Sequence, residues 1–510
     1  MTFNLATMLR ESTASTPERV LVHLGERAVT YREIDVDTDR VAASLLALGL
    51  MPGDKVAVQL PNVVEFLHAY FGCLKAGLVM VPLNPLLTTR EVTYHLRDSD
   101  ARLIVTLDLF AEAAVNAARE VGVPAYVVGQ STPDGTRPFA ELFQTEGDPG
   151  LLYPASPDDT AVLLYTSGTT GQPKGAELTH FQLFMNCTVA GEIFGVQESD
   201  ITIGILPLFH VFGLSSVLNT TVRYGGTLVL TPRFDPVETV DLIERHRVTI
   251  ISGVPTMYVA LLNTDTSGRD LSSLRAACSG GASIPGEVIR AFEEKFPGVL
   301  ILEGYGLSET ASTTTFNISA EQRKVLSVGK PIWGVEVKVI DHEGNALATG
   351  PEHVGEILVR GHNVMKGYYK RPDATAAALQ DGWLHTGDLG YRDEEGYLFV
   401  VDRLKDLVIR GGYNVYPREV EEVLYAHPSV AEAAVVGRAD DRLGEEVVAY
   451  VALKPGASAT PEELQEYARK NLAAYKYPRE IHVLDQLPKG PTGKILKTPL
   501  RRQESPKARA

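Results

Sequence analysis

Residues 165–175, YTSGTTGQPKG, are the stretch around which the chain is organised. They follow an apolar run at 160–164, TAVLL, that is typical of a buried strand. The glycines let successive backbone N–H groups point at one spot, the hydroxyls add donors, and Lys174 adds a positive charge, so the stretch suits a polyphosphate. Pro173 fixes the path of the chain just before that charge, which makes a merely flexible linker the weaker interpretation.

The stretch is not a Walker A loop, because that motif needs a second glycine five residues after the first, followed by lysine. Pro173 stands five residues beyond Gly168, and Ala176 stands five beyond Gly171. A phosphate-binding loop of another kind is therefore the hypothesis.

Length, charge and cysteine content limit the class of protein. A chain of 510 residues exceeds one hydrophobic core, so at least two domains are expected. Lys and Arg number 48 against 64 Asp and Glu, and the net charge of −16 disfavours nucleic acid as a partner. The three cysteines are far apart, which argues against a disulfide framework or a CxxC metal site; they are Cys73, Cys187 and Cys278.

The sequence has no run of 18 apolar residues and no long apolar segment near its N-terminus. We therefore expect a cytoplasmic protein without a transmembrane segment; the sequence leaves open a transient membrane contact that depends on its substrate. The sequence leaves monomer and homodimer open.

The order of apolar and amphipathic segments predicts the architecture. Between Tyr31 and Thr106, and again between Thr227 and Glu303, short strands alternate with helices, which indicates βαβ units and largely parallel sheets. Residues 329–361 are β-rich, and the composition shifts at Asp402. We predict an α/β N-terminal domain of stacked sheets with a β-rich subdomain at 1–401, and a small α+β C-terminal domain at 402–510.

Four short runs hold more polar groups than their surroundings need. They are PLFHVFG at 207–213, EGYGLSET at 303–310, WLHTGD at 383–388 and PKGPTGKI at 488–495. Taken singly, each has an ordinary explanation: a core histidine, a capped turn, a turn aspartate and a solvated basic loop.

Taken together, these runs resemble the adenylate-forming superfamily of acyl-CoA synthetases, firefly luciferases and peptide-synthetase adenylation domains. The resemblance covers essentially the whole chain, through blocks at 165–175, 303–310, 385–388, 402–412 and 491–495 in the family's order. The runs RGHNVMKGYYKRP at 360–372 and LPKGPTGKILK at 487–497 are similar to those of fatty-acyl and 4-coumarate-type CoA ligases.

The resemblance implies an AMP-forming acyl-CoA synthetase, an acid–thiol ligase that uses ATP, Mg²⁺, coenzyme A and a small carboxylic acid. The acid attacks the α-phosphate of ATP and releases pyrophosphate, and the acyl-adenylate then reacts with the thiol of coenzyme A. Both reactants of the first step are anions, so the site must align them and neutralise charge rather than supply a nucleophile.

The resemblance also assigns roles to residues. The catalytic set is Lys494, His210, Thr166 and Glu309, with Lys494 at the α-phosphate, His210 at the mouth of the acyl pocket and Glu309 as the Mg²⁺ ligand. The phosphate loop comprises Thr166, Ser167, Gly168, Thr169, Thr170 and Lys174. The ribose is held by Asp388 and Arg403. The adenine and phosphate face is lined by Ala282, Glu303, Gly304, Tyr305 and Ser308. The C-terminal domain is mobile about a hinge at Asp402, and Gly411 and Gly412 border the channel for coenzyme A.

The choice of acid rests on the residues around His210. Phe209, Val211 and Phe212 are apolar, and Phe212 stands where malonate-activating relatives carry a second histidine, so a dicarboxylate is disfavoured. A medium- or long-chain fatty acid is the first expectation and an aromatic acid such as a cinnamate the second. Two other classes stay open: an adenylating enzyme that loads a carrier protein, and a non-catalytic nucleotide-binding module. Glu303 departs from the glutamine that relatives often carry, and Ile409 from a lysine.

Overall fold

The computed structural model describes residues 2–166, 172–440 and 442–503. The chain begins with two helices and two strands, and the strands form one edge of the nine-stranded sheet described below. These elements are α1 (Thr7–Ser15), β1 (Val20–Leu24), β2 (Arg27–Thr30) and α2 (Tyr31–Ala47). Helix α2 begins where it does because Thr30 forms a capping box: its hydroxyl accepts the N–H of Glu33, whose carboxylate accepts the N–H of Thr30.

A seven-stranded sheet follows, and it ends in the hairpin that carries the phosphate-loop sequence. Its strands are β3 (Lys55–Gln59), β4 (Val79–Pro82), β5 (Ala101–Leu107), β6 (Ala125–Val128), β7 (Arg137–Pro138), β8 (Thr160–Thr166) and β9 (Lys174–Thr179); its helices are α3 (Val64–Lys75), α4 (Thr89–Ser99) and α5 (Ala111–Val121). The order is β7-β6-β5-β3-β4-β8-β9, with antiparallel pairing between β8 and β9 alone among these neighbours. The predicted βαβ alternation is confirmed.

A nine-stranded sheet forms the second layer, in the order β16-β15-β14-β13-β12-β10-β11-β1-β2. Its further strands are β10 (Ile201–Gly204), β11 (Thr227–Leu230), β12 (Ile250–Gly253), β13 (Ala276–Ser279), β14 (Ile301–Tyr305), β15 (Thr315–Phe316) and β16 (Lys330–Pro331). The helices of this region are α6 (His180–Ile193), α7 (Thr220–Arg223), α8 (Pro236–His246), α9 (Pro255–Leu262) and α10 (Gly286–Lys295), with a π-helix at Phe212–Asn219 directly before α7.

A five-stranded antiparallel sheet corresponds to the predicted β-rich subdomain. It contains β17 (Val335–Ile340), β18 (Gly355–Gly361), β19 (Leu379–Gln380), β20 (Trp383–Arg392) and β21 (Leu398–Arg403), with the helix α11 (Pro372–Ala378). The pairing of β20 with β21 sets Asp388 opposite Arg403. Strand register thus brings together one residue from the motif at 385–388 and one from the motif at 402–412.

The C-terminal sheet begins at Val408 and has an apolar core of its own. Its strands are β22 (Val408–Arg410), β23 (Tyr413–Val415), β24 (Val430–Asp440), β25 (Gly444–Leu453) and β26 (Glu480–Leu484); its helices are α12 (Pro417–Tyr425), α13 (Pro461–Asn471) and α14 (Lys497–Gln503). The mixed α/β class with a large N-terminal part is confirmed. In the described ranges, no helix has both the length and the apolar character needed to cross a bilayer.

Candidate active site

One cavity of about 1590 Å³ lies at the carboxyl ends of the parallel strands, where ligands bind in α/β sheets. Its walls come from the β8–β9 hairpin, the segment after β10 that includes residues 209–213, the turn after β14, the β20–β21 pair and the loop before α14. The hairpin and the four polar runs of the sequence therefore meet in one place. The cavity continues along the face of β12 toward α6 and α7.

The hairpin wall ends in Thr166 and Lys174, which are opposite each other in the β8–β9 register. The Lys174 ammonium lies 5.2 Å from the centre of the Tyr368 ring, and the Tyr94 hydroxyl donates to the Pro173 carbonyl at 2.7 Å. Both contacts fix the base of the loop. The remaining residues predicted to hold phosphate lie outside the described part of the chain: Ser167, Gly168, Thr169 and Thr170.

Glu309 sits on a short 3₁₀ turn, Ser308–Thr310, that follows β14. Its carboxylate accepts a hydrogen bond from the Tyr368 hydroxyl at 2.9 Å, and the Met365 N–H donates to its carbonyl at 2.8 Å. Tyr368 therefore contacts both Lys174 and the Glu309 carboxylate, which is predicted to bind Mg²⁺. Sequence reasoning missed Tyr368, although it lies within the run at 360–372 that carried the family resemblance.

Asp388 is almost fully buried at the opposite wall and has two partners. The Tyr305 hydroxyl donates to it at 2.7 Å, and the Nε of Arg403 lies 3.2 Å from its other oxygen. Burial, together with the Asp388 charge, raises the pKa of Tyr305 far above its usual range, so this phenol stays protonated and keeps donating. All three residues line the cavity.

Two of the residues predicted for the adenine face do not line the cavity. Gly304, Tyr305 and Ser308 line the cavity as expected, whereas Ala282 and Glu303 lie outside its lining. The Glu303 carboxylate instead accepts the Leu326 N–H at 2.9 Å. Burial raises its pKa to about 8, against the opposing charge of Arg418 on α12.

Lys494 reaches the cavity from the loop before α14. The loop closes on itself through the Gly490 N–H and the Lys494 carbonyl at 2.8 Å, and it contacts α9 where the Thr256 hydroxyl donates to the Gly493 carbonyl at 2.7 Å. Burial, followed by the charge of Arg403, lowers the pKa of Lys494 to about 8. Thr256 was not among the predicted site residues, and nothing in its local sequence marks it.

His210 lines the same cavity and is neutral near pH 7. Burial, followed by the charge of Lys494, lowers its pKa to about 4. Its Nδ1 accepts the Phe212 N–H at 3.3 Å, so the Nε2 carries the proton and is the nitrogen available as a donor. The two residues that sequence analysis placed near the reacting carboxylate are therefore electrostatically coupled.

The predicted hinge and channel glycines lie outside this cavity. The Asp402 carboxylate accepts the N–H of Arg403 at 2.8 Å and the N–H of Arg418, in the first turn of α12, at 3.1 Å. Gly411 and Gly412 form the turn between β22 and β23 with positive φ, +58° and +84°. In this structure Lys494 therefore lines the cavity, whereas these glycines do not.

Comparison with known proteins agrees with this geometry along the whole chain. The family model described as AMP-binding enzyme matches residues 9–369, and the one described as AMP-binding enzyme C-terminal domain matches residues 419–494. A long-chain-fatty-acid–CoA ligase from Bacillus subtilis (strain 168) is 39% identical, over 98% of this chain and 94% of its own. A feruloyl-CoA synthase from an Amycolatopsis species is also 39% identical, over 96% of each chain.

Solved structures add a comparison of two forms of one protein. ATP-bound MatB from Rhodopseudomonas palustris matches with a TM-score of 0.92 at 33% identity over 100% of both chains. Apo MatB from the same organism matches with a TM-score of 0.79 at 33% identity over 99% of both chains.

The chain belongs to the AMP-binding, adenylate-forming enzyme family. Within that family the protein is an acid–thiol ligase of the AMP-forming acyl-CoA synthetase type. ATP, coenzyme A and a carboxylic acid are the substrates of this type of enzyme, whereas the acid itself varies between the relatives.

Proposed function

We propose that the protein activates a medium- or long-chain fatty acid as its acyl-adenylate and transfers the acyl group to coenzyme A. The observation that carries this proposal is the continuity of the cavity. It joins the Asp388–Arg403 wall, the coupled pair Lys494 and His210, and an elongated arm along β12.

The shape of that arm favours a linear acyl group. Ile250, Ser252 and Val254 all line the cavity; the first two lie on one face of β12, and Val254 directly follows its last residue. The four steps from Ile250 to Val254 span about 13 Å at about 3.3 Å per residue of extended chain. An extended alkyl chain with bonds of about 1.5 Å lengthens by about 1.25 Å for each carbon. The arm therefore accommodates a chain of roughly ten carbons.

The charges of the cavity fit the first half-reaction. Lys174 and the hairpin bind the leaving phosphates, and Asp388 with Arg403 binds the ribose hydroxyls. Lys494 neutralises the charge that develops between the acid and the α-phosphate, and His210 donates from Nε2 to the carboxylate. Because burial weakens water's screening, each of these charges acts strongly on the reactants.

Mg²⁺ fits the residues at Glu309. In the described part of the chain no group of three or more His, Cys, Asp and Glu forms a metal site, which agrees with an ion bound mainly by substrate phosphates and one carboxylate. Glu309 offers an oxygen that Tyr368 leaves free, and Thr166 lies in the same cavity. The ion would supply charge neutralisation at the phosphates when bound.

We assign the second half-reaction to a different placement of residues 402–510, reached by rotation about Asp402. Two observations support this. Gly411 and Gly412, which the resemblance assigns to the channel for coenzyme A, lie outside the cavity here, and the ATP-bound form of MatB resembles this chain more than its apo form does. Lys494 would then leave the cavity and the glycine turn would approach it, where thin backbone admits the thiol arm.

An aromatic acid of the cinnamate type is the second candidate. The feruloyl-CoA synthase and the fatty-acid ligase are equally similar to this chain, and Phe194, Phe212 and Phe316 all line the cavity. Rings of this kind can stack on a planar substrate as well as cover an alkyl chain.

Pyrophosphate exchange followed by addition of coenzyme A tests the proposal. The acids are straight-chain fatty acids from butanoate to stearate, with cinnamate, 4-hydroxycinnamate and malonate, and the Lys494→Ala variant is the matched control. Exchange and thioester formation should peak with fatty acids of about ten carbons and be weakest with malonate. A higher kcat/KM for cinnamates would select the second candidate, and no exchange with any acid would overturn both.

A further inference from the structure

The acyl arm, which is the part of the cavity along β12, has a lining that becomes more polar with depth. Near its mouth lie Val254 and Gly280, apolar or small residues that directly follow the ends of β12 and β13. One level further down lie Ser252 and Cys278, which are opposite each other in the β12–β13 register. The deepest level holds Thr202, opposite Ile250 in the β10–β12 register. Successive levels are two residues apart on their strands, which is about 6.6 Å.

Three side chains at the deeper levels present hydroxyl groups without a protein partner. Thr202, Thr221 and Ser252 are between 2% and 6% exposed, and each lines the cavity. Within the described ranges, none of their hydroxyls forms a hydrogen bond to protein. Thr220, beside Thr221, differs because its hydroxyl donates to the Cys187 and Ser215 carbonyls at 3.4 and 3.1 Å.

Unpaired hydroxyls are costly at the end of an apolar arm. A polar group that is covered without a hydrogen bond costs free energy, and a terminal methyl group of a plain fatty acid cannot relieve that cost. A valine in place of either threonine would fill the same space without it. The polar atoms are instead placed where the far end of the substrate arrives.

We propose that Thr202, Thr221 and Ser252 form a subsite that recognises a hydroxyl group at the far end of the acyl substrate. This inference rests on the proposed function, because it concerns the acid bound in the same cavity. The depth of Thr202, about 13 Å from the mouth, fits the terminal hydroxyl of an ω-hydroxy fatty acid of about ten carbons. A shorter, rigid hydroxycinnamate offers the same chemistry nearer to Ser252.

Paired acids that compete in one reaction test this subsite. The pairs are decanoate with 10-hydroxydecanoate and cinnamate with 4-hydroxycinnamate, and the ratio of thioesters formed gives the ratio of kcat/KM values. This ratio does not depend on the fraction of folded enzyme. We expect the wild type to prefer the hydroxylated acid of at least one pair about tenfold, the effect of a net hydrogen bond of about 1.4 kcal/mol.

Variants then locate the contact. Thr202→Val should reduce the preference in the alkanoate pair to about onefold, and Thr202→Ser should restore it; Ser252→Ala should act in the same way on the cinnamate pair. Thr220→Val is the control, because its hydroxyl is already paired, and it should leave the ratios unchanged. No preference in either pair, or a preference that Thr220→Val removes equally, would overturn the subsite. Turnover of the plain acids in that case would leave the proposed ligase activity standing.

Discussion

Two lysines reach the cavity from opposite sides, and the protein holds them in different ways. Lys174 lies on β9, in register with Thr166, and its ammonium is over the Tyr368 ring. Lys494 lies on a loop of the C-terminal region, whose Gly493 carbonyl accepts a hydrogen bond from Thr256. A sheet positions the first lysine and a docked loop the second.

This difference indicates a fixed wall and a movable wall. Moving Lys174 would require β9 to separate from β8, whereas moving Lys494 requires the loss of loop contacts and of the Asp402 bond to α12. Burial lowers the pKa of Lys494 to about 8, and a charge shielded from water neutralises a nearby charge strongly. We therefore expect Lys494 to serve one half-reaction and Lys174 to serve substrate binding.

The largest expected effect is the loss of adenylation activity in the Lys494→Ala variant. Loss of the charge that balances the transition state should lower the rate of pyrophosphate exchange by about 10²–10³-fold. Lys174→Ala is the matched comparison: it should mainly raise KM for ATP, about tenfold, because it removes binding shared by the ground state and the transition state. Equal losses of kcat in both variants would remove the distinction between the two walls.

A second effect concerns the hinge. Asp402→Pro restricts φ at the point of rotation, so we expect thioester formation to fall about 10–100-fold while adenylation changes less. Single-turnover measurements of both half-reactions check this. Asp402→Asn keeps backbone freedom and an acceptor for the Arg418 N–H, and it should retain most of the thioester rate. Unchanged turnover with coenzyme A in Asp402→Pro would exclude Asp402 as the hinge.

A smaller effect is the dependence of adenylation on pH. Lys494 is charged below its pKa of about 8 and loses the charge above it, so kcat/KM for exchange should fall about tenfold between pH 7 and pH 9. His210, with a pKa of about 4, stays neutral over that range. Lys494→Arg should retain activity at pH 9 relative to pH 7, because arginine stays charged. A decline of the same size in Lys494→Arg would assign the titration to another group.

The smallest effect is on stability, at the buried Glu303 on β14. The pKa of Glu303 is raised to about 8, so the stabilisation from its bound proton is fully present below pH 4.5 and is lost as pH rises through 8. The change in Tm caused by Glu303→Gln should therefore be about 2–4 °C more positive at pH 9 than at pH 6. Thermal unfolding measures this, with exposed Glu112→Gln as the control. A pH-independent difference would contradict the assignment.

The sequence predicted the architecture well because the signals for it are local. Strand and helix periodicity around Tyr31–Thr106 lies within short windows, and the same holds for the motif at 385–388. The partner of Glu303 could not be predicted, because the N–H that it accepts belongs to Leu326, 23 residues further along the chain. Tyr368 and Glu309 are 59 residues apart, and Thr256 and Gly493 are 237 apart, so both contacts arise only when separate elements fold together.

The most direct test of the movable wall is the second half-reaction of Lys494→Ala with a supplied acyl-adenylate and coenzyme A. If Lys494 leaves the cavity before the thiol enters, the variant should form the thioester within about threefold of the wild-type rate, although its adenylation falls by about 10²–10³-fold. A loss of similar size in both half-reactions would contradict the account, because Lys494 would then act throughout the reaction from one fixed position.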